Sequence, residues 1–314
     1  MTDMIGAIKT WLSGLLQTLK VFAFRRFYRF SSARSWRGQV GPAPFTDMQV
    51  PAAGGTIGAR LYPNSQGCAK PLIVYIHGGG WVIGDLASHH PFCEALAEAT
   101  GCSVIALDYR LAPEHPFPAA QDDCLAATRW IAGHSARLGP NDGRLVLAGD
   151  SAGGNLVVCT CLALDAATRK HILGQVLIYP ATDHYSAGFG SYVEKARGQL
   201  LTAAIVTWFW DTYLAGLPPD APAAQRAFPR RSPDTGTLPP TLLVTAENDP
   251  LRDEGKAYAG QLGEAGVQVR FHHFDNAAHG FACGEGRSNH FQLFISQLTS
   301  WLSGLDKPIE ERQL

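Results

Sequence analysis

Arg144-Leu-Val-Leu-Ala-Gly-Asp-Ser-Ala-Gly-Gly154 carries a short apolar run into a glycine-flanked serine and on into a helical stretch, Ala152 to Ala167. Gly149 and Gly153 remove side chains that would clash at a sharp strand-to-helix turn, which leaves the Ser151 hydroxyl exposed at the strand end. Amides at the start of the helix face the same point and can stabilise negative charge there. The bare pattern G-x-S-x-G also fits an ordinary glycine-rich turn. Its place between a strand and a helix favours a nucleophile turn.

On both sides of this turn, strands and helices alternate. Apolar or β-branched runs occur at Thr56 to Tyr62, Pro71 to His77, Ser103 to Asp108, Arg144 to Ala148, Gln175 to Tyr179, Thr241 to Thr245 and Val267 to Phe274. Helical stretches are expected around Pro91 to Ala99, Ala119 to Leu138, Ala152 to Ala167 and Phe291 to Leu302. Continuous apolar strands separated by helices imply a mostly parallel sheet covered on both faces, so the class is α/β. Between Tyr179 and Thr241 the rhythm breaks for roughly sixty residues, too long for a structureless loop. The aromatic stretch Thr207-Trp-Phe-Trp-Asp-Thr-Tyr213 marks it as a helical insertion over one end of the sheet.

His77-Gly78-Gly79-Gly80 directly follows a strand as well. Three glycines let backbone N–H groups approach a substrate closely, as an oxyanion hole requires. A phosphate loop would need G-x-x-x-x-G-K-[ST] or G-x-G-x-x-G with an acidic partner, and neither is present. A serine nucleophile needs a base and an acid that orients it, in the chain order serine, acid, histidine. After the strand Thr241 to Thr245 come Glu247, Asp249, Asp253 and Glu254. Asp253 and Glu254 fall in the first helical turn, where capping and the helix dipole already account for acids. Asp249, stiffened by Pro250, is the better orienter, with Glu247 next. For the base, His279 lies in the loop after the last strand. His272 and His273 are still in that strand, and His115 precedes the serine.

The 314 residues are 46% hydrophobic, enough for one large closed core. Lys and Arg number 26 against 27 Asp and Glu, a net charge of -1, which provides no footprint for nucleic acid. Seven scattered cysteines suit buried thiols in a reducing, cytoplasmic compartment. Cys159-Thr-Cys161 lacks zinc-knuckle spacing, and the doublets His89-His90 and His272-His273 send neighbouring side chains apart, so no metal site is expected. At the N-terminus, Ile5, Ile8, Trp11, Leu12, Leu15, Leu16, Leu19 and Phe22 share one helical face. Lys9 and Lys20 interrupt the run, which is too short for a membrane span, and Asp3 and Lys9 do not suit a signal peptide. An amphipathic helix packed on the body is expected. The basic residues Arg25, Arg26 and Arg29 keep a membrane-surface helix as the alternative.

The chain resembles the hormone-sensitive-lipase-like group of α/β-hydrolase esterases, family IV of bacterial lipolytic enzymes, in its GDSAG branch. The residues that carry this are His77-Gly-Gly-Gly-Trp81, Asp108-Tyr-Arg-Leu-Ala-Pro-Glu-His-Pro-Phe-Pro-Ala-Ala120, Gly149-Asp-Ser-Ala-Gly-Gly154, Tyr179-Pro180, Asp249-Pro-Leu-Arg-Asp-Glu-Gly255 and His279-Gly-Phe281. The resemblance implies an α/β-hydrolase fold with Ser151 as nucleophile, His279 as base and Asp249 as orienter, in agreement with the residue-level reading. It further implies an oxyanion hole from the amides of Gly78, Gly79 and Ala152. A helical cap is expected from residues 1–45 and an insertion at 183–235, on a catalytic domain spanning 46–314. By the same analogy, a small pocket walled by Trp81, Trp208 and Phe281 would take short acyl or aryl esters, with no metal or cofactor. Relatives commonly pair through the last strand, so a homodimer through Val267 to Phe274 is expected. The same triad would also serve an amidase, deacetylase or lipase. A non-catalytic receptor on this scaffold would lack His279.

Overall fold

The structure is a computed structural model describing residues 2–41, 43–64, 67 and 69–305, with side chains of the first helix described from residue 19 onward. The strands are β1 (Thr46–Ala52), β2 (Gly55–Tyr62), β3 (Leu72–Ile76), β4 (Val104–Asp108), β5 (Leu145–Asp150), β6 (Ile172–Ile178), β7 (Thr241–Asn248) and β8 (Val269–Ala278). Among the described residues they form one eight-stranded sheet in the order β1-β2-β4-β3-β5-β6-β7-β8. From β4 to β8 every pairing is parallel, while β1 with β2 and β2 with β4 are antiparallel. The α/β expectation is met.

The central strands are buried on both sides, which explains their unbroken apolar runs. Along β3, Leu72, Val74 and Ile76 join one core while Ile73 and Tyr75 join the other, the two-residue alternation of a strand. The helices Ala119–His134 and Ala152–Ala163 supply the first core, and Leu86–Thr100 and Asn289–Leu305 supply the second. Strand β1 has no counterpart in the sequence reading. It is an edge strand with mostly exposed residues, so no apolar run announces it. The helix Leu86–Thr100 begins before Pro91, because the Asp85 side chain accepts the Ser88 N–H in a capping box.

A helix, Thr2–Ser35, precedes the sheet, and Val21, Ser32 and the following Trp36 bury its inner side. The expectation that its apolar face packs on the body is not met where side chains are described. Leu19 is 55% exposed and Phe22 59%. Ile5, Ile8, Lys9, Trp11, Leu12, Leu15 and Leu16 lie outside the described side chains, and Cys68 outside the described residues. The other six cysteines are buried. No helix among the described residues is long and apolar enough to cross a membrane.

Between β6 and β7 the chain forms short helical turns and the helix Ala203–Leu214. Phe24 of the N-terminal helix stacks on Phe209 of this insertion, with ring centroids 6.0 Å apart, so the two segments meet.

Candidate active site

Strand β5 ends at Asp150 and the helix Ala152–Ala163 begins two residues later, so Ser151 alone makes the turn. Its backbone is held at φ 53 and ψ -119, a sparsely populated region. Two backbone bonds impose this: Ser151 N–H donates to Ile178 O at 2.8 Å, and Ser151 O accepts from Ala181 N at 3.2 Å. A Cβ on Gly153 would strike the carbonyl oxygen of Ile76, and one on Gly149 would lie 2.7 Å from that oxygen. The flanking glycines therefore permit the close approach of the turn to β3.

His279 follows β8 directly, and Asp249 follows β7. Neighbouring parallel strands thus deliver the two loops to the carboxyl end of the sheet, beside Ser151. His279 Nε2 is 3.0 Å from Ser151 Oγ, and His279 Nδ1 is 2.7 Å from Asp249 Oδ2. Asp249 is fully buried, and its other oxygen accepts the Leu251 N–H at 2.8 Å. That second bond fixes the carboxylate so that Oδ2 faces the imidazole. The ring of Tyr179 packs 4.6 Å from that of His279 and limits its tilt.

The competing residues are engaged elsewhere. Glu247 lies 2.7 Å from His273 Nε2 and accepts from Arg252 at 3.1 Å. Asp253 accepts from Arg252 and from Ser191 N–H, and His115 is exposed. Glu254 departs from the capping role expected of it. It turns inward, fully buried, and accepts from Thr182 N–H at 2.6 Å and Tyr192 O–H at 2.9 Å.

The glycine loop after β3 needs one correction. Gly78 N–H, expected in the oxyanion hole, donates to Asp150 Oδ1 at 2.8 Å and is therefore not available to an oxyanion. The amides of Gly79, Gly80 and Ala152 donate to no acceptor among the described residues. Two of the three expected pocket walls also need correction. Trp81 is 2% exposed and stacks on Tyr213, and Phe281 is fully buried against Phe274 and Tyr179. Both support the site from behind and present no surface to a bound ester. Trp208 is half-buried beside Phe24. Phe209, not singled out from sequence, covers Gly80 so closely that a Cβ there would overlap its ring.

Behind the serine lies a buried polar group. Asp150 accepts the Tyr75 hydroxyl at 2.5 Å and sits 3.5 Å from His89 Nε2. Burial opposes its charge, but His89, the Tyr75 hydroxyl and the Gly78 amide prevail and hold its pKa down at about 2. His77 is pushed down to about 4, first by burial and then by His89, so it stays neutral and stacks on Tyr109 at 4.3 Å. Ligand atoms of His89, Asp150 and Cys283 lie within 4.8 Å of one another, as do those of Glu247, His273 and Asp275. In the first group the Asp150 oxygen is already taken by two donors, which suits a hydrogen-bond network. None of these links was legible beforehand, since Gly78 and Asp150 are 72 positions apart.

The alpha/beta hydrolase fold family matches over residues 73–283. Carboxylic ester hydrolase LipN of Mycobacterium tuberculosis is 40% identical over 268 residues, 82% of this chain and 70% of that protein. Ethyl acetate hydrolase of Pseudomonas putida is 38% identical, over 85% of this chain and 84% of its own. A solved esterase of Pyrobaculum calidifontis superposes with a TM-score of 0.83 at 36% identity, covering 91% of this chain and 93% of that one. The chain belongs to the alpha/beta hydrolase fold family, and the resemblance to its hormone-sensitive-lipase-like esterases is borne out.

Proposed function

We propose that the chain is a serine carboxylesterase that hydrolyses short- to medium-chain acyl or aryl esters through an acyl-enzyme on Ser151. Carboxylic ester hydrolysis is supported by family membership and by relatives named for that activity. The mechanism rests on one observation: the His279 ring spans Ser151 Oγ at 3.0 Å and Asp249 Oδ2 at 2.7 Å.

With the Nδ1 proton directed at Asp249, Nε2 is free to accept the Ser151 proton as Oγ attacks the ester carbonyl. The oxyanion is received by the amides of Gly79, Gly80 and Ala152. The imidazolium then returns its proton to the leaving alcohol as the acyl–oxygen bond breaks. In the second half, His279 Nε2 takes a proton from water, the resulting hydroxide attacks the acyl carbon, and Ser151 leaves with the proton. Every step uses the same three side chains, so no resident metal is invoked.

The N-terminal helix and the insertion form the cap in this reading, which is supported by the contact of Phe24 with Phe209. Preference for small acyl groups is supported by Phe209 lying over Gly80. Amide hydrolysis on the same triad is the rival. The deciding assay compares p-nitrophenyl butyrate with butyryl p-nitroanilide, using wild type and Ser151→Ala with a chelator present. Ester turnover by wild type alone is expected, and turnover surviving in Ser151→Ala contradicts the reading.

A further inference from the structure

The helix Thr2–Ser35 has two unlike sides. Its inner side is accounted for by the body: Arg25 Nε donates to Val82 O at 2.8 Å, Ser32 Oγ donates to Ser88 O, and beyond the helix Trp36 Nε1 donates to Cys283 O at 2.7 Å. Leu19, Phe22, Arg26 and Phe30 follow one line along the opposite side at three- and four-residue spacing, with Phe27 beside them. Leu19 is 55% exposed, Phe22 59%, Phe27 60% and Phe30 62%, and the Arg26 guanidinium stands 5.8 Å over the Phe22 ring. Three exposed phenylalanines on one helix are costly to leave in water.

Charge identifies what covers them. Residues 4–45 contain seven Lys or Arg and no Asp or Glu, in a chain whose net charge is -1. Arg25 and Arg29 pair with Glu114 and Asp85, while Lys20, Arg26, Arg34 and Arg37 are exposed. A second copy docking symmetrically on this face would oppose like charge with like. Exposed rings between cations instead match the boundary between acyl chains and anionic headgroups. We propose that this outer face lies flat on an anionic lipid surface and docks the protein there without spanning the bilayer.

The test is vesicle flotation of the purified full chain, which reads binding independently of ester hydrolysis. The chain is expected to float with vesicles of phosphatidylglycerol and phosphatidylcholine in equal parts and not with phosphatidylcholine alone. Binding should be lost at about 1 M salt, where the screening length is about 3 Å. The triple variant Phe22→Ser, Phe27→Ser, Phe30→Ser should partition about tenfold more weakly at an unchanged Tm, and Arg26→Glu with Arg34→Glu should abolish flotation. Failure of the wild type to float with anionic vesicles overturns the proposal, as does equal flotation with neutral ones or of the triple variant. A wild-type dimer that becomes monomeric in the triple variant also overturns it, assigning the face to a second copy.

Discussion

Asp150 Oδ1 accepts the Gly78 N–H at 2.8 Å, so the residue before Ser151 ties down the first glycine of the loop that faces it. The same carboxylate is held by Tyr75 and faces His89, which makes the link between turn and loop stiff. Asp150 touches no reacting atom in the proposed mechanism and is a positioning residue. Asp150→Ala is therefore expected to lower kcat by about tenfold to hundredfold with KM nearly unchanged. Asp150→Asn, which keeps an acceptor for Gly78, should recover most of it. Steady-state kinetics on p-nitrophenyl butyrate checks this, and a wild-type kcat in Asp150→Ala contradicts it.

Two buried carboxyls give stability opposite pH dependences. Asp150 is lowered from 3.8 to about 2, so its contribution is present above 3.8 and lost as pH falls toward 2. Glu254 is raised from 4.5 to about 8 by burial, against the donors Thr182 and Tyr192 that favour its charge. Between those values the folded state holds the proton more tightly than the unfolded chain, so this group costs stability as pH rises through the window. Urea midpoints at about pH 5 and about pH 8 should show Glu254→Gln gaining on wild type at the higher pH. A constant difference would refute the assignment.

Asp249 and Glu247 compete in sequence but not in space. Asp249→Asn should reduce kcat by about ten-thousand-fold, because the amide favours the wrong imidazole tautomer. Glu247→Gln, which disturbs the His273, Arg252 and Lys195 pairings, should stay within about twofold of wild type. Equal losses in the two variants would mean the orienter is misassigned.

Phe209→Ala removes the ring over Gly80. The ratio of rates on C4 and C12 p-nitrophenyl esters is expected to shift toward the longer chain by about tenfold or more. An unchanged ratio, or a wild type that already prefers C12, removes Phe209 as the limit on acyl length.

What could be read from the sequence was local. The turn at Ser151, the loop positions of Asp249 and His279 and the strands β2 to β8 all follow from adjacent residues, since apolar runs and turn glycines act over a few positions. Boundaries shifted where a side chain intervened, as Asp85 does ahead of Pro91. Side-chain direction across long separations was not legible. Gly78 belongs to a glycine run suited to oxyanion binding, yet its amide is claimed by Asp150 from another strand. Trp81 and Phe281 sit beside motif residues but turn into the core, and Leu19 and Phe22 have the right spacing yet face outward. Periodicity identifies a face without saying which way it points.

In the proposed mechanism Ser151 forms the covalent intermediate. The most direct measurement is peptide mass spectrometry after treatment with diethyl p-nitrophenyl phosphate, which traps an activated serine. One diethylphosphoryl adduct on Ser151 is expected, formed in step with the loss of esterase activity and absent from Ser151→Ala. Loss of activity with the adduct elsewhere, or with none at all, would rule out Ser151 as the nucleophile.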